Sequence, residues 1–190
     1  IKTIAGKLEA GYQLPLGFRV IGGVDRDIKK RNVPSWFSGA LVSVTTREKT
    51  DETTYRLQLR RSLSETVNGA LSYAHSKRGG SDYITTVLNS GATGSNLVAP
   101  LHLADRERDL WRLALDWVPT EPLSLQFAVE NATDLYPSRD FGPRNGKAQN
   151  YSVDAAYTFS DKWQGTAWFS RNDTRVEQAT RCVSSTASCG

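Results

Sequence analysis

Strict alternation of apolar and polar side chains is the feature that most limits what this chain can fold into. Trp111, Leu113, Leu115 and Trp117 alternate with Arg112, Ala114, Asp116 and Val118. Leu123, Leu125, Phe127 and Val129 alternate with Ser124, Gln126, Ala128 and Glu130. Tyr151, Val153, Ala155, Tyr157 and Phe159 alternate with Asn150, Ser152, Asp154, Ala156 and Thr158. A period of two puts the two sets on opposite faces of an extended strand, and helical spacing fits none of these windows. The pattern recurs, less cleanly, in Ile4–Leu14, Phe18–Asp25, Tyr55–Arg60, Val67–Ala74 and Trp163–Phe169. The fold class expected is therefore all-β: an antiparallel up-and-down meander of about eight strands. Helices are excluded from 106–130 and 150–170.

The connections alternate in length. Pro15-Leu16-Gly17, Ser64-Glu65, Pro119–Pro122 and Ser160-Asp161-Lys162 are tight, whereas residues 30–51, 78–105 and 134–147 are long, polar and rich in Gly, Ser and Asn. Three of the tight turns repeat one pattern of hydroxyl, acid, any residue, apolar: Ser64-Glu65-Thr66-Val67, Thr120-Glu121-Pro122-Leu123 and Ser160-Asp161-Lys162-Trp163. Short turns on one rim and long loops on the other describe a transmembrane β-barrel of the outer-membrane type, with periplasmic turns and outer loops.

Alternation alone does not say whether the apolar face meets a core or lipid. Aromatic residues gather near strand ends: Tyr12, Phe18, Trp117, Phe159 and Trp163 by the tight turns, and Trp111, Tyr151 and Tyr73 toward the loops. From Tyr151 to Phe159 is ~27 Å of strand, which suits a tilted crossing of an apolar band of about 25 Å. Gly69, Gly165, Ala155 and Ala167 on the apolar face would leave holes in a packed core but cost little against fluid lipid. Large charged residues stand mid-strand on the other face. These features favour a membrane barrel with Trp111, Leu113, Leu115, Leu125, Phe127, Val153 and Tyr157 toward lipid. A soluble barrel or sandwich remains the alternative. A transmembrane helix is excluded, because no run of 18 or more apolar residues occurs.

Charge argues against a nucleic-acid partner. Lys+Arg number 24 against 20 Asp+Glu, for a net charge of +4, and the one dense basic cluster is Lys29-Lys30-Arg31. Methionine is absent, even at position 1, so the chain is expected to be a processed or trimmed segment of a longer product. Residues 1–181 are expected to supply the strands, turns and loops, and 182–190 a Ser/Thr/Cys tail. Cys182 and Cys189 lack nearby histidines, so a local disulfide is the better reading than a zinc site.

The segment from Asp105 to Glu177 resembles the MtrB/PioB family, the outer-membrane porin-like component associated with decahaem cytochromes. The resemblance rests on Asp105-Arg106-Glu107-Arg108-Asp109, Leu113-Ala114-Leu115-Asp116-Trp117 and Pro119-Thr120-Glu121-Pro122-Leu123-Ser124-Leu125. It continues through Tyr151-Ser152-Val153-Asp154-Ala155-Ala156-Tyr157 and Trp163-Gln164-Gly165-Thr166-Ala167-Trp168-Phe169-Ser170. Gly23-Val24-Asp25-Arg26-Asp27 and Tyr55-Arg56-Leu57-Gln58-Leu59 match more loosely. The resemblance implies a multi-pass barrel in the outer membrane of a Gram-negative cell, sheathing a multihaem c-type cytochrome and supporting extracellular electron transfer. Family barrels are much longer than this chain, which implies that about eight strands here are part of a larger wall. The Cys-rich segment often found at the family's N-terminus does not occur here. A complete eight-stranded barrel and a passive porin without a cytochrome are the competing readings.

Candidate chemistry is sparse. No C-x-x-C-H motif occurs, so any haem belongs to the partner and this chain binds no cofactor itself. His75-Ser76, and His102 near Asp105, offer no hydrolase signature and read as solvated loop histidines, so no enzyme is expected. Asp25 and Asp27, with Asp105, Glu107 and Asp109, could hold calcium at a rim, but neighbouring arginines make salt-bridged strand ends the better reading. No metal is assigned. The residues expected to face a partner in the lumen are Arg19, Arg56, Gln58, Arg60, Arg112, Asp116, Glu130 and Asp154. Charge reversal at Arg56 and Arg60 together is expected to leave the barrel inserting while weakening retention of an acidic partner. Mutual pairing of these groups along an ordinary water-filled lumen would produce the same composition.

Overall fold

The computed structural model describes residues 1–32, 44–86, 100–137 and 142–179. Its strands are β1 (Lys2–Gln13), β2 (Phe18–Lys30), β3 (Val44–Thr46), β4 (Lys49–Ser62), β5 (Val67–Gly80), β6 (Ile84–Thr86), β7 (Arg106–Thr120), β8 (Leu123–Leu135), β9 (Gly142–Ser160) and β10 (Trp163–Ala179). Eight form one antiparallel sheet in the order β1-β2-β4-β5-β7-β8-β9-β10, and β3 pairs with β6 in a separate two-stranded ribbon. β1 and β10 do not pair with each other, so the sheet is open, as a section of barrel wall would be. Among the described residues the only helical element is the 3-10 turn Pro15–Gly17 between β1 and β2. That turn places Leu16 at φ 63° and Gly17 at φ 76°, a left-handed pair in which glycine bears no steric cost.

The strands run further toward the long connections than alternation alone indicates. β2 continues to Lys30, β4 starts at Lys49, β5 reaches Gly80, β8 reaches Leu135 and β9 begins at Gly142. Arg171, Asn172 and Asp173 do not end the last strand; they pair with Tyr151, Asn150 and Gln149 inside β10. The reason is that the backbone ladder needs no apolar side chains. Polar cross-strand pairs take their place, as with Arg26–Asp51 at 2.8 Å, Lys77–Glu107 at 2.9 Å and Asn145–Glu177 at 3.3 Å. At Gly80 the strand passes so close to β4 that an added Cβ would collide with the Lys49 carbonyl oxygen.

Register sorts the side chains into two faces. Tyr12, Val20, Leu59, Leu71, Leu113, Val129 and Tyr151 lie opposite one another in one lateral row. One residue along, the row on the other face reads Gly11, Ile21, Gln58, Ser72, Arg112, Glu130, Asn150 and Asn172. Among the described residues no other element packs on the apolar face: Leu113 is 55% exposed, Leu57 55%, Trp111 51% and Phe169 64%. The chain exposes 13395 Å², against about 9,000 Å² for a compact globular protein of this mass. An apolar sheet face of that extent is the surface of something other than a water-soluble monomer.

The upper limit of the apolar face crosses the sheet on a diagonal. Followed up from the short turns, the outward apolar run ends at Val24 in β2, Tyr55 in β4, Tyr73 in β5, Trp111 in β7, Val129 in β8, Tyr151 in β9 and Phe169 in β10; Ile28 and Leu135 lie farther out on the same face, beyond Arg26 and beyond Asn131 and Thr133. Val24 is level with Tyr55, Tyr73 with Trp111, and Val129 with Tyr151; between these pairs, and again before Phe169, the limit drops by two residues. Six residues of drift over six strand steps is about 20 Å along the strands against about 29 Å across them, a tilt of about 35°. Strands of membrane barrels tilt by that amount. A flat apolar slab therefore cuts this sheet as it would cut an outer-membrane wall.

Among the described residues, full burial is confined to the long-connection side of the sheet. Ala104 and Tyr136 pack with Tyr83 in a small cluster, and burial pushes the Tyr136 phenol above its usual range. Beside the cluster Arg47, 3% exposed, gathers that rim together. Its guanidinium donates to the Ser81 carbonyl at 2.7 and 2.9 Å, to the Leu103 carbonyl at 2.9 Å and to Asp105 Oδ1 at 2.7 Å. It also lies over the Tyr83 ring, 4.3 Å from the centroid.

Candidate functional site

The polar face carries the chemistry. All eight polar residues singled out from sequence stand on it. Gln58, Arg112 and Glu130 share one row with Ser72 between them. Arg19 lies directly opposite Arg60, Asp116 and Asp154 share a row through Gln126, and Arg56 lies between Gly23 and Ala74.

They are not equivalent electrostatically. Arg56 is clamped: its Nε and Nη2 donate to both oxygens of Asp25, and Nη2 also reaches Glu9 Oε2 at 3.4 Å. Arg112 Nη1 donates to Glu130 Oε1 at 2.6 Å. Arg60 Nε donates to Gln58 Oε1 at 2.9 Å, and Gln58 Nε2 donates to Ser72 Oγ at 3.0 Å. Toward the long-connection rim the face is densely ion-paired. Arg108 makes a two-pronged pair with Asp134 at 2.6 and 2.8 Å, and Arg106 meets Glu52 at 2.7 Å. Two-pronged guanidinium–carboxylate pairs are the strongest of these contacts. Ala70, Ala114, Ala128, Ser152 and Ser170 follow one another across a single row of the same face, and in another Ala132 and Ala148 are neighbours, with Leu110 between Ala132 and Ala74. Much of this wall is therefore smooth.

Alternation within 111–118 did not reach Arg106, Arg108 or the small-residue rows. The signal was present in residue parity: once β7 extends back to Arg106, both arginines share the face of Arg112. Their partners Glu52 and Asp134 come from strands whose register no single segment specifies.

The histidines and rim carboxylates find other partners. His75 is not a solvated loop residue. It lies in β5 on the apolar face, where its Nδ1 is 2.9 Å from Asp109 Oδ1, and the Tyr73 hydroxyl donates to the same oxygen at 2.6 Å. Ser76 points to the opposite face and bonds Thr54 at 2.8 Å, so the sequence neighbours His75 and Ser76 cannot act together. His102 lies in the turn before β7, while Asp105 is held by Arg47. Of the carboxylates weighed for calcium, Asp25 pairs with Arg56, Asp27 with Lys29 at 3.1 Å and Glu107 with Lys77. Asp25 and Asp27 stand on the polar face, Glu107 and Asp109 on the apolar one, so they share no cage. Cys182, Cys189 and the tail 182–190 lie outside the described residues.

Comparison with known proteins returns one family. The model described as "Putative outer membrane beta-barrel porin, MtrB/PioB" matches residues 1–188, essentially the whole chain. No curated protein matches.

Proposed function

Because the chain belongs to the MtrB/PioB family of outer-membrane β-barrel porins, we propose that it builds a section of barrel wall sheathing a multihaem c-type cytochrome. The cytochrome would carry electrons across the outer membrane; the wall holds it and keeps it from lipid. This is a structural role without catalysis or a cofactor of the chain's own. The apolar face meets lipid, and the polar face lines the lumen.

The observation that carries the reading is the lining itself. A lumen that only passes water and ions has no need of a row such as Ala70, Ala114, Ala128, Ser152 and Ser170. Small side chains let the surface of a folded occupant approach the wall closely, while arginines and amides around them give it polar contacts. Among those contacts Arg60 is better placed than Arg56, whose guanidinium is committed to Asp25 and Glu9.

The test is haem retention. The chain is expressed in an outer membrane with its neighbouring cytochrome, extracted in mild detergent and assayed for covalently bound haem. The reading expects haem to co-purify with the wild type, to be lost from Ala128→Trp, and to fall in Arg60→Glu with the barrel still inserted. Haem-free wild type, or unchanged retention in Ala128→Trp, would make the barrel a passive porin instead. In that case Ala128→Trp would only narrow the conductance.

A further inference from the structure

We propose that the lumen face holds a binding site for a small oxyanion, phosphate or carboxylate, built on Arg19 and Arg60 near the short-turn rim. Two like charges directly opposite in an antiparallel pair destabilise the sheet unless something neutralises them. Elsewhere on this face most cations are neutralised by carboxylates from within the strands, while Arg78, opposite Arg106, donates instead to the Ala104 and Leu101 carbonyls. Arg56 has Asp25 and Glu9, Arg108 has Asp134, Arg106 has Glu52, Arg112 has Glu130, Lys7 has Glu9 and Lys29 has Asp27. Arg19 and Arg60 have no carboxylate among the described residues. They lie on β2 and β4, both interior to the sheet, so each already has its neighbouring strands beside it.

The pair opens on a recess of about 690 Å³, lined also by Gln58, Asn68, Arg112 and Asp116. Asp116 is the one acidic residue of the lining and makes no ion pair among the described residues. The guanidiniums are oriented. Gln58 Oε1 accepts from Arg60 Nε at 2.9 Å while its own amide is tied to Ser72, which leaves the Nη groups of Arg60 to donate elsewhere. Arg19 leans toward β1 and lies over Gly11, where a Cβ would come 3.3 Å from its Nη2; the missing side chain makes room for the guanidinium, which borders the recess from the β1 side while Arg60 borders it from β4. A planar guanidinium fork matches the oxygens of a carboxylate or phosphate, which accept two N–H groups from it. A spherical anion gains no such match. The site lies within the chain and needs no lumen occupant, so it stands apart from the sheath reading.

The experiment uses the full chain in detergent micelles, with no cytochrome present, titrated calorimetrically with inorganic phosphate at constant ionic strength. Wild type is expected to bind, acetate to compete, and chloride at the same concentration not to. Arg19→Gln with Arg60→Gln should weaken phosphate binding at least tenfold. Lys7→Gln with Lys29→Gln removes the same charge from the same face, at residues already paired, and should change it less than twofold. Equal losses in the two double variants, competition by chloride, or no phosphate binding by wild type with a native far-UV dichroism spectrum would each overturn the proposal. Binding by phosphate that acetate does not displace would overturn the shared-oxyanion site. Far-UV dichroism of the Arg19/Arg60 variant separates lost binding from lost fold. If it is unfolded, Gly11→Leu, which crowds Arg19 without removing charge, must show the same loss or the proposal fails.

Discussion

Leu57 and Gln149 occupy the same lateral row of the sheet, linked through Tyr73, Trp111 and Asn131. In an untilted sheet they would lie at one depth. With the tilt of about 35°, four strand steps of about 4.8 Å lift Gln149 by about 11 Å relative to Leu57. Leu57 sits in the middle of the apolar stretch of its strand, between Leu59 and Tyr55, whereas Gln149 lies beyond Tyr151. Half of an apolar band of about 25 Å is about 12 Å, so Gln149 comes out at the interface. Arginine at Leu57 is therefore expected to cost about 2–4 kcal/mol of stability in the bilayer, and arginine at Gln149 about 0–1 kcal/mol. The assay is reversible urea unfolding of the full chain from lipid vesicles, followed by tryptophan fluorescence, with both variants compared at equal denaturant slope. Equal costs would refute the tilt and the lipid-facing assignment together, since a row at uniform depth, or a face packed in a soluble core, distinguishes the two sites differently. A larger cost at Gln149 would refute the direction of the drift.

Spin labels at the sequence neighbours Leu115 and Asp116 should report opposite environments, with oxygen favoured at Leu115 and a nickel chelate at Asp116; equal access would refute the two-faced wall. Arg47→Ala removes the group that ties Ser81, Leu103 and Asp105 together. A local loss of about 2 kcal/mol is expected, read as roughly thirty-fold faster amide exchange at Leu103 and Ala104 with little change in mid-strand amides. Arg56→Glu places a third carboxylate beside Glu9 and Asp25 and should cost about 1–2 kcal/mol after solvent screening, whereas Arg60→Glu, which gives Arg19 an opposite charge, should cost nothing or stabilise by up to about 1 kcal/mol. Equal destabilisation by these two would show that the clamp on Arg56 is not what separates them.

The alternation around Trp111–Val118, Leu123–Glu130 and Asn150–Phe159 determined the strands, their two faces and the four tight turns, because side-chain direction in a strand depends only on residue parity. It also placed Arg19, Arg56, Gln58, Arg60, Arg112, Asp116, Glu130 and Asp154 on a common face. Strand ends were less legible. β2, β5 and β9 continue through Lys30, Gly80 and back to Gly142 on polar residues whose only reason to be extended is a partner strand far away in sequence. Pairing across the sheet decided everything that depends on two strands at once. Register put Asp25 and Glu9 against Arg56, left Arg19 facing Arg60 with no acid between them, and aligned Ala70, Ala114 and Ala128 into one smooth row. It also turned a set of separate apolar stretches into a diagonal band, from which the tilt follows. A sequence states each strand's pattern to within a sliding offset, and only hydrogen bonding between strands removes that offset.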